Sequence, residues 1–191
     1  MVDAPLFGTL SRRQNADGRV DNVLPPRNHA DHLVNRYWRY IDPLEHILDQ
    51  ERFSCSYQTL FAGGELDCNE DIFISILNAI FALSTQLEES VLSEQRDQAS
   101  NTFFQRAWTL LRPETILWEP GSLEIVQCLL LMSHYLQCTK NLHQTWMAVG
   151  SAVRIAQSLD LHMPDKFSSS SLNIDSSLRR HVWQRCVFRD R

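Results

Sequence analysis

Residues 122–161 read SLEIVQCLLLMSHYLQCTKNLHQTWMAVGSAVRIAQSLDL, and this stretch decides the fold class. Its first half, Leu123 to about Gln137, carries Leu123, Ile125, Val126, Leu129, Leu130, Leu131 and Met132, apolar nearly all round. Such a segment is a helix buried on several sides, and Ser122 stands where an N-cap belongs. Its second half, about His143 to Leu159, sets Trp146, Val149, Val153, Ala156 and Leu159 on one stripe. Only Thr139, Lys140 and Asn141 link the two, so they are expected to form an antiparallel helical hairpin. Gly150 falls on the side expected to pack. There it permits close approach, at about 1 kcal/mol of helix propensity relative to Ala.

Working outward, the same periodicity recurs. Leu33, Tyr37, Tyr40 and Ile41 share one face of a helix over about 28–40, which Pro43 is expected to end. Leu44, Ile47 and Leu48 suggest one further helical turn, and Gly63-Gly64 a loop. Ile72, Phe73, Ile76, Leu77, Ile80, Phe81 and Leu83 predict a buried helix over about 69–87. Phe103, Phe104, Ala107, Trp108 and Leu111 predict another over about 94–111. Lys166–Ser177 is serine-rich and reads as a loop. A last helix, from about Ser176 to the end, turns Leu178, Val182, Cys186 and Trp183 inward. The fold class is therefore all-α: an irregular multi-helix bundle with the hairpin at about 122–161. Residues 1–23 lack periodicity and read as a flexible lead-in, closed by Pro25-Pro26.

Composition narrows the function. With 43% hydrophobic residues the chain can build a core. A formal net charge of −5 argues against a free-standing nucleic-acid-binding module. Charge is uneven, however: Arg179, Arg180, Arg185, Arg189 and Arg191 stand against Asp190 alone, a basic tail expected to pair with the acidic body. The five cysteines are odd in number and include no C-x-x-C pair, which argues against a disulfide framework and a structural zinc site. No segment approaches the ~20 apolar residues that span a bilayer, so no membrane role is expected.

Candidate chemistry is sparse. His29 and His32 stand at i, i+3, but in a polar context that favours solvation over a metal. Asp67, Glu70 and Asp71 resemble an acidic Mg²⁺ cluster, but the second, facing cluster that such chemistry needs is absent. Acids at a helix start also serve its dipole. Ser133 and His134 are neighbours and point roughly 100° apart on a helix, too far for a dyad. Cys128 and Cys138 fall in apolar helices, where a thiolate is disfavoured. No catalytic, cofactor-binding or metal residue is assigned, and the chain is not expected to be an enzyme.

Four blocks, in order, carry a resemblance. The first is Leu24-Pro25-Pro26-Arg27 with Ala30, Leu33, Tyr37, Tyr40, Pro43 and Leu44, closing at Phe53. The second is Asn78–Leu83 with Phe103, Phe104, Ala107 and Trp108. The third is Ser122–Leu131, running through Trp146, Gly150, Ala152, Val153, Arg154 and Ala156 to Leu159-Asp160-Leu161-His162. The last is Arg179-Arg180-His181-Val182-Trp183, ending at Asp190-Arg191. Over 24–191 the chain resembles the fungal-specific transcription factor domain, the middle homology region of zinc binuclear cluster regulators. Two positions depart from the pattern: Gln184 replaces an aromatic, and Asp160 a glycine, which weakens a helix C-cap.

The resemblance implies a nuclear transcription regulator whose middle region tunes activity in response to inhibitory contacts or a small-molecule effector. It implies a homo- or heterodimer that reaches DNA through a six-cysteine zinc cluster. Nothing here matches that cluster, so DNA is expected to be reached only through the missing cluster or a partner subunit. No DNA-contacting residue is assigned, and zinc is expected only in that cluster. The chain is expected to be the N-terminal part of a regulatory domain that continues past Arg191, with apolar faces left uncovered along the hairpin. The alternative is a stand-alone helical interaction protein, or a dominant-negative modulator of related transcription factors.

Overall fold

A computed structural model describes residues 24–90, 92–111, 120–163 and 173–191, with residues 116 and 118. The lead-in 1–23 and most of the serine-rich segment lie outside them. The described elements are all helical, and no strand occurs among them. They are α1 (Arg27–Arg36), a π-helical turn (Tyr37–Ile41), α2 (Asp42–Glu45), α3 (Gln50–Phe61), α4 (Glu70–Gln86), α5 (Ser93–Leu111), α6 (Leu123–Cys138), α7 (Leu142–Ser158) and α8 (Asn173–Asp190).

α4 and α6 are the centre of the bundle, and their sequences explain why. From Ile72 to Thr85 every residue of α4 is buried, and α6 is buried from Ile125 to Ser133. Each begins on a side-chain cap: the Ile72 N–H donates to Asn69 Oδ1 at 3.2 Å, and the Ile125 N–H to Ser122 Oγ at 3.3 Å. Most of the polar side chains they bury are bonded, Ser84 Oγ and Asn78 Oδ1 being the exceptions. Ser75 Oγ donates to Ala107 O at 2.7 Å, and Asn78 Nδ2 to Ile74 O at 2.9 Å. Against this pair pack α5, through Phe103, Phe104, Ala107 and Leu111, and α1, through Ala30, Leu33 and Val34.

Pro43 does not end the first helix. The Asp42 N–H reaches back to Tyr37 O, so the chain widens into a π turn and Pro43 falls in the first turn of α2. There its missing N–H costs nothing. The widened turn brings Ile41 under Tyr37 and turns Tyr40 out, 49% exposed, where periodicity had set it inward. α3 was not expected at all. Asp49 caps it, accepting from the Arg52 N–H at 2.8 Å, and it buries Phe53, Tyr57 and Leu60. The tyrosine Oη donates to Asp31 Oδ1 on α1 at 2.6 Å. α8 begins at Asn173, so the residues 173–177 read as loop are helical.

The hairpin of α6 and α7 forms, with one residue of the expected α7 stripe turned out. The buried face of α7 is Ala148, Val149, Ala152 and Ala156, and Trp146 is 66% exposed instead of inward. Three alanines at i+4 spacing form a flat seam that lets α7 lie close on α6; of the expected stripe Val149 and Ala156 are buried, Val153 and Leu159 pack partly against the core, and Trp146 alone is turned toward solvent.

α3, α6 and α7 end in the same device. The second residue past each helix cap donates back to the carbonyl five residues earlier: Gly64 to Thr59 O (3.0 Å), Asn141 to Leu136 O (2.9 Å) and Leu161 to Ala156 O (3.0 Å). The residue before each has positive φ: Gly63 at 73°, Lys140 at 61° and Asp160 at 56°. A side chain there is strained. Asp160→Gly is therefore expected to stabilise the chain by about 0.5–1 kcal/mol, read as a higher urea midpoint with unchanged slope. A lower midpoint would mean that the Asp160 side chain contributes more than its backbone costs.

Candidate functional site

The basic tail is drawn onto the body at one point. α2 ends at His46, whose φ of 45° leaves the carbonyls of Leu44 and Glu45 without helical partners. Arg185 and Arg189, one turn apart on α8, meet this end. Arg185 Nε donates to Glu45 O at 2.9 Å and its Nη2 to Leu44 O. Arg189 Nη2 pairs with Glu45 Oε1 at 2.6 Å, and its Nη1 donates to Gln137 Oε1 at 3.2 Å. A carboxylate at a helix C-terminus opposes the helix dipole. Two guanidiniums reverse that sign. The pair is nearly dry, with side-chain exposure of 7% for Arg189 and 11% for Glu45.

His134 on α6 completes the cluster, its Nδ1 3.4 Å from Glu45 Oε1. Its pKa is held below the ordinary histidine value by burial first and then by Arg189, against the opposing pull of Glu45. The protonated form of His134 is thus disfavoured beside an existing ion pair. Arg179 Nη2 also turns inward, donating to Leu159 O at 3.0 Å. The basic tail is a latch on main-chain carbonyls and one buried carboxylate.

The residues weighed for chemistry are not brought together. His32 Nε2 lies 3.2 Å from Glu88 Oε1, while His29 is exposed on the same helix. Glu70 and Asp71 occupy the first turn of α4 beside the Asn69 cap, and Asp67 is exposed before it. Ser133 Oγ donates to Leu130 O at 2.7 Å, while His134 lies against Glu45. Cys128 is fully buried, 3.1 Å from Ser75 Oγ, and burial pushes its thiol up to about 12. Cys138 stands exposed at the end of α6, yet burial of its thiol raises its pKa, so a thiolate is disfavoured there as well. His46 and His181 meet edge to face at 5.3 Å, but no three His, Cys, Asp or Glu side chains converge on a metal position among the described residues. No helix among them is long and apolar enough to cross a membrane.

One open cleft of about 560 Å³ runs between α4, α5 and the α6–α7 link. Gln86, Asn101, Gln105 and Gln144 line it with Asp97 and Lys140, beside the stacked rings of Phe104 and Tyr135. Amides and one charge of each sign can hydrogen-bond a small polar molecule, and they supply no nucleophile–base pair.

The chain belongs to the fungal specific transcription factor domain family, whose family model matches residues 34–191. It is 43% identical along its whole length to sorbicillinoid biosynthetic cluster transcription factor 2 of Penicillium rubens, and 46% identical to sorbicillinoid biosynthetic cluster transcription factor sor3 of Hypocrea jecorina. It is 26% identical, over 84% of its length, to lactose regulatory protein LAC9 of Kluyveromyces lactis. The chain spans 28%, 29% and 17% of these three relatives. No solved structure matches it.

Proposed function

We propose that this chain is the regulatory middle region of a fungal zinc-cluster transcription regulator, acting in the nucleus and without catalysis of its own. One observation carries the reading: its whole length aligns with two transcription factors at 43% and 46% identity, while it spans less than a third of either. Five cysteines cannot supply a six-cysteine cluster, and the net charge of −5 opposes direct DNA contact. DNA is then reached through a cluster outside these residues or through a partner subunit. A small polar effector would take the amide-lined cleft.

A chimera tests this. Let the chain replace the aligned segment of the Penicillium rubens relative, with a reporter downstream of a promoter that this relative activates. Regulated reporter output is expected from the chimera, and altered or constitutive output when the segment is deleted. The purified chain alone is expected to leave promoter DNA unshifted. Sequence-specific DNA binding by the chain alone would overturn the reading, as would a deletion that behaves like the parent.

A further inference from the structure

Three helices meet at one oxygen. Glu45 Oε1, at the end of α2, lies 2.6 Å from Arg189 Nη2 on α8 and 3.4 Å from His134 Nδ1 on α6. The arginine holds the hydrogen bond. His134 Nδ1 is buried without a hydrogen-bond partner among the described residues, and so is Arg189 Nε. A permanent cation thus occupies the oxygen while a titratable one stands within reach of it. Arg189 and Glu45 are the charges that act on the imidazole. Tyr37 on the π turn and Cys138 on α6 also feel Glu45, but both are pushed up and stay neutral below pH 7. Asp42 pairs with His46 at 3.6 Å, and His46 meets His181 of α8 edge to face. Arg185 is taken up by the carbonyls of Leu44 and Glu45, and α7 brings no Asp or Glu.

Of the elements joined here, α8 is the one that can leave. Only Leu178, Val182 and Cys186 of it enter the core, and it packs mainly on α7 and less on α6. The rest of its hold is polar: Arg179 on Leu159 O, Arg185 on the end of α2, and Arg189 on Glu45 and Gln137. An element with few apolar anchors opens at lower free energy than a core helix such as α4 or α6. We infer that His134 is a proton-operated release for α8: once protonated, its ring takes Glu45 Oε1 from Arg189, and α8 lifts away while the α4–α6 core stays folded. The sign follows from the two states. With α8 docked, burial and Arg189 hold His134 below 6.5; with α8 away, Arg189 is gone and Glu45 pulls the other way. The undocked form binds the extra proton. Docking is therefore firm above the undocked value and weakens as pH falls through 6.5 toward the docked one, by up to about tenfold per pH unit for one proton. The inference does not rest on the transcriptional reading.

Two cysteines report it. Cys186 on α8 and Cys128 on α6 are both fully buried, whereas Cys55 on α3 is exposed. The full chain is pulsed with a dipyridyl disulfide, which labels free thiols in acid as well as at neutrality, and each cysteine is read by peptide mass spectrometry. Dividing the Cys186 rate by the Cys55 rate cancels the pH dependence of the reagent. Between pH 7.5 and 5.5 that ratio is expected to rise about tenfold, with Cys128 still protected. His134→Gln should abolish the rise. Glu45→Gln, which leaves both cations without their oxygen, should label Cys186 quickly at both values. Cys128 labelling at pH 7.5 shows whether a variant has folded, and His134→Asn serves where His134→Gln has not. A Cys186 ratio indifferent to pH would overturn the inference. So would Cys186 and Cys128 rising together, which would mean global unfolding, or a rise that survives in the folded His134 variant, which would assign the sensor to another group.

Discussion

Arg189→Met is expected to destabilise the chain by about 3–5 kcal/mol, because it strands a carboxylate in a site built for an ion pair. Glu45 is almost fully covered, sits where the α2 dipole repels it, and has Arg189 at 2.6 Å as its charged partner. Replacing both members, Glu45→Leu with Arg189→Met, should recover most of the loss, since an apolar pair avoids the desolvation that the ions suffer. The pH dependence distinguishes this latch from simple packing. In the parent, the fold holds His134 below its ordinary 6.5, so the unfolded chain binds a proton that the fold refuses. That contribution is complete above pH 6.5 and is lost as pH falls from 6.5 toward the folded value. Removing Arg189 removes one of the two causes while Glu45 still pulls upward, so the acid-side loss should flatten in Arg189→Met. Urea unfolding of the parent, single and double variants at pH 5.5 and 7.5 reads both effects. An Arg189→Met variant within about 1 kcal/mol of the parent at both values would mean that the tail merely rests on the body.

How far the sequence reached follows from what each element uses to fold. α4 and α6 were legible to within a residue or two because they are apolar on nearly all sides and start on Asn69 and Ser122, signals local to the chain. α3 escaped. Its Phe53, Tyr57 and Leu60 do repeat at helical spacing, but Ser54, Cys55 and Ser56 between them are indifferent helix formers, and the helix rests on α1 and α4 for support. The π turn escaped as well, since a proline in the first turn of a new helix and one that terminates a helix look alike in a sequence. For the arginine tail, the charge count gave the partner as the acidic body. The actual partners are the main-chain carbonyls of Leu44, Glu45 and Leu159, the Gln137 amide oxygen and the Glu45 carboxylate, and main-chain acceptors leave no mark in composition.

Phe81→Ala is expected to cost about 3–5 kcal/mol, and Trp146→Ala less than about 0.5 kcal/mol, although periodicity set both aromatic rings inward. Phe81 lies at 0% exposure on the central helix, edge to face with Phe103 at 5.4 Å, so truncation leaves a cavity that close-packed neighbours cannot fill. Such a loss approaches the whole stability of an ordinary domain, so Phe81→Leu, expected to cost about 1–2 kcal/mol, keeps the measurement within reach if the alanine variant fails to fold. Trp146 is the larger ring, but removing it takes away little that is buried. Size on an apolar stripe therefore misleads wherever a helix packs by its small residues: in α7 the alanines touch α6 and the tryptophan is left for something else. Urea midpoints at constant slope decide the matter. If Trp146→Ala cost as much as Phe81→Ala, Trp146 would have to be packed inward, and the alanine seam of α7 would be lost.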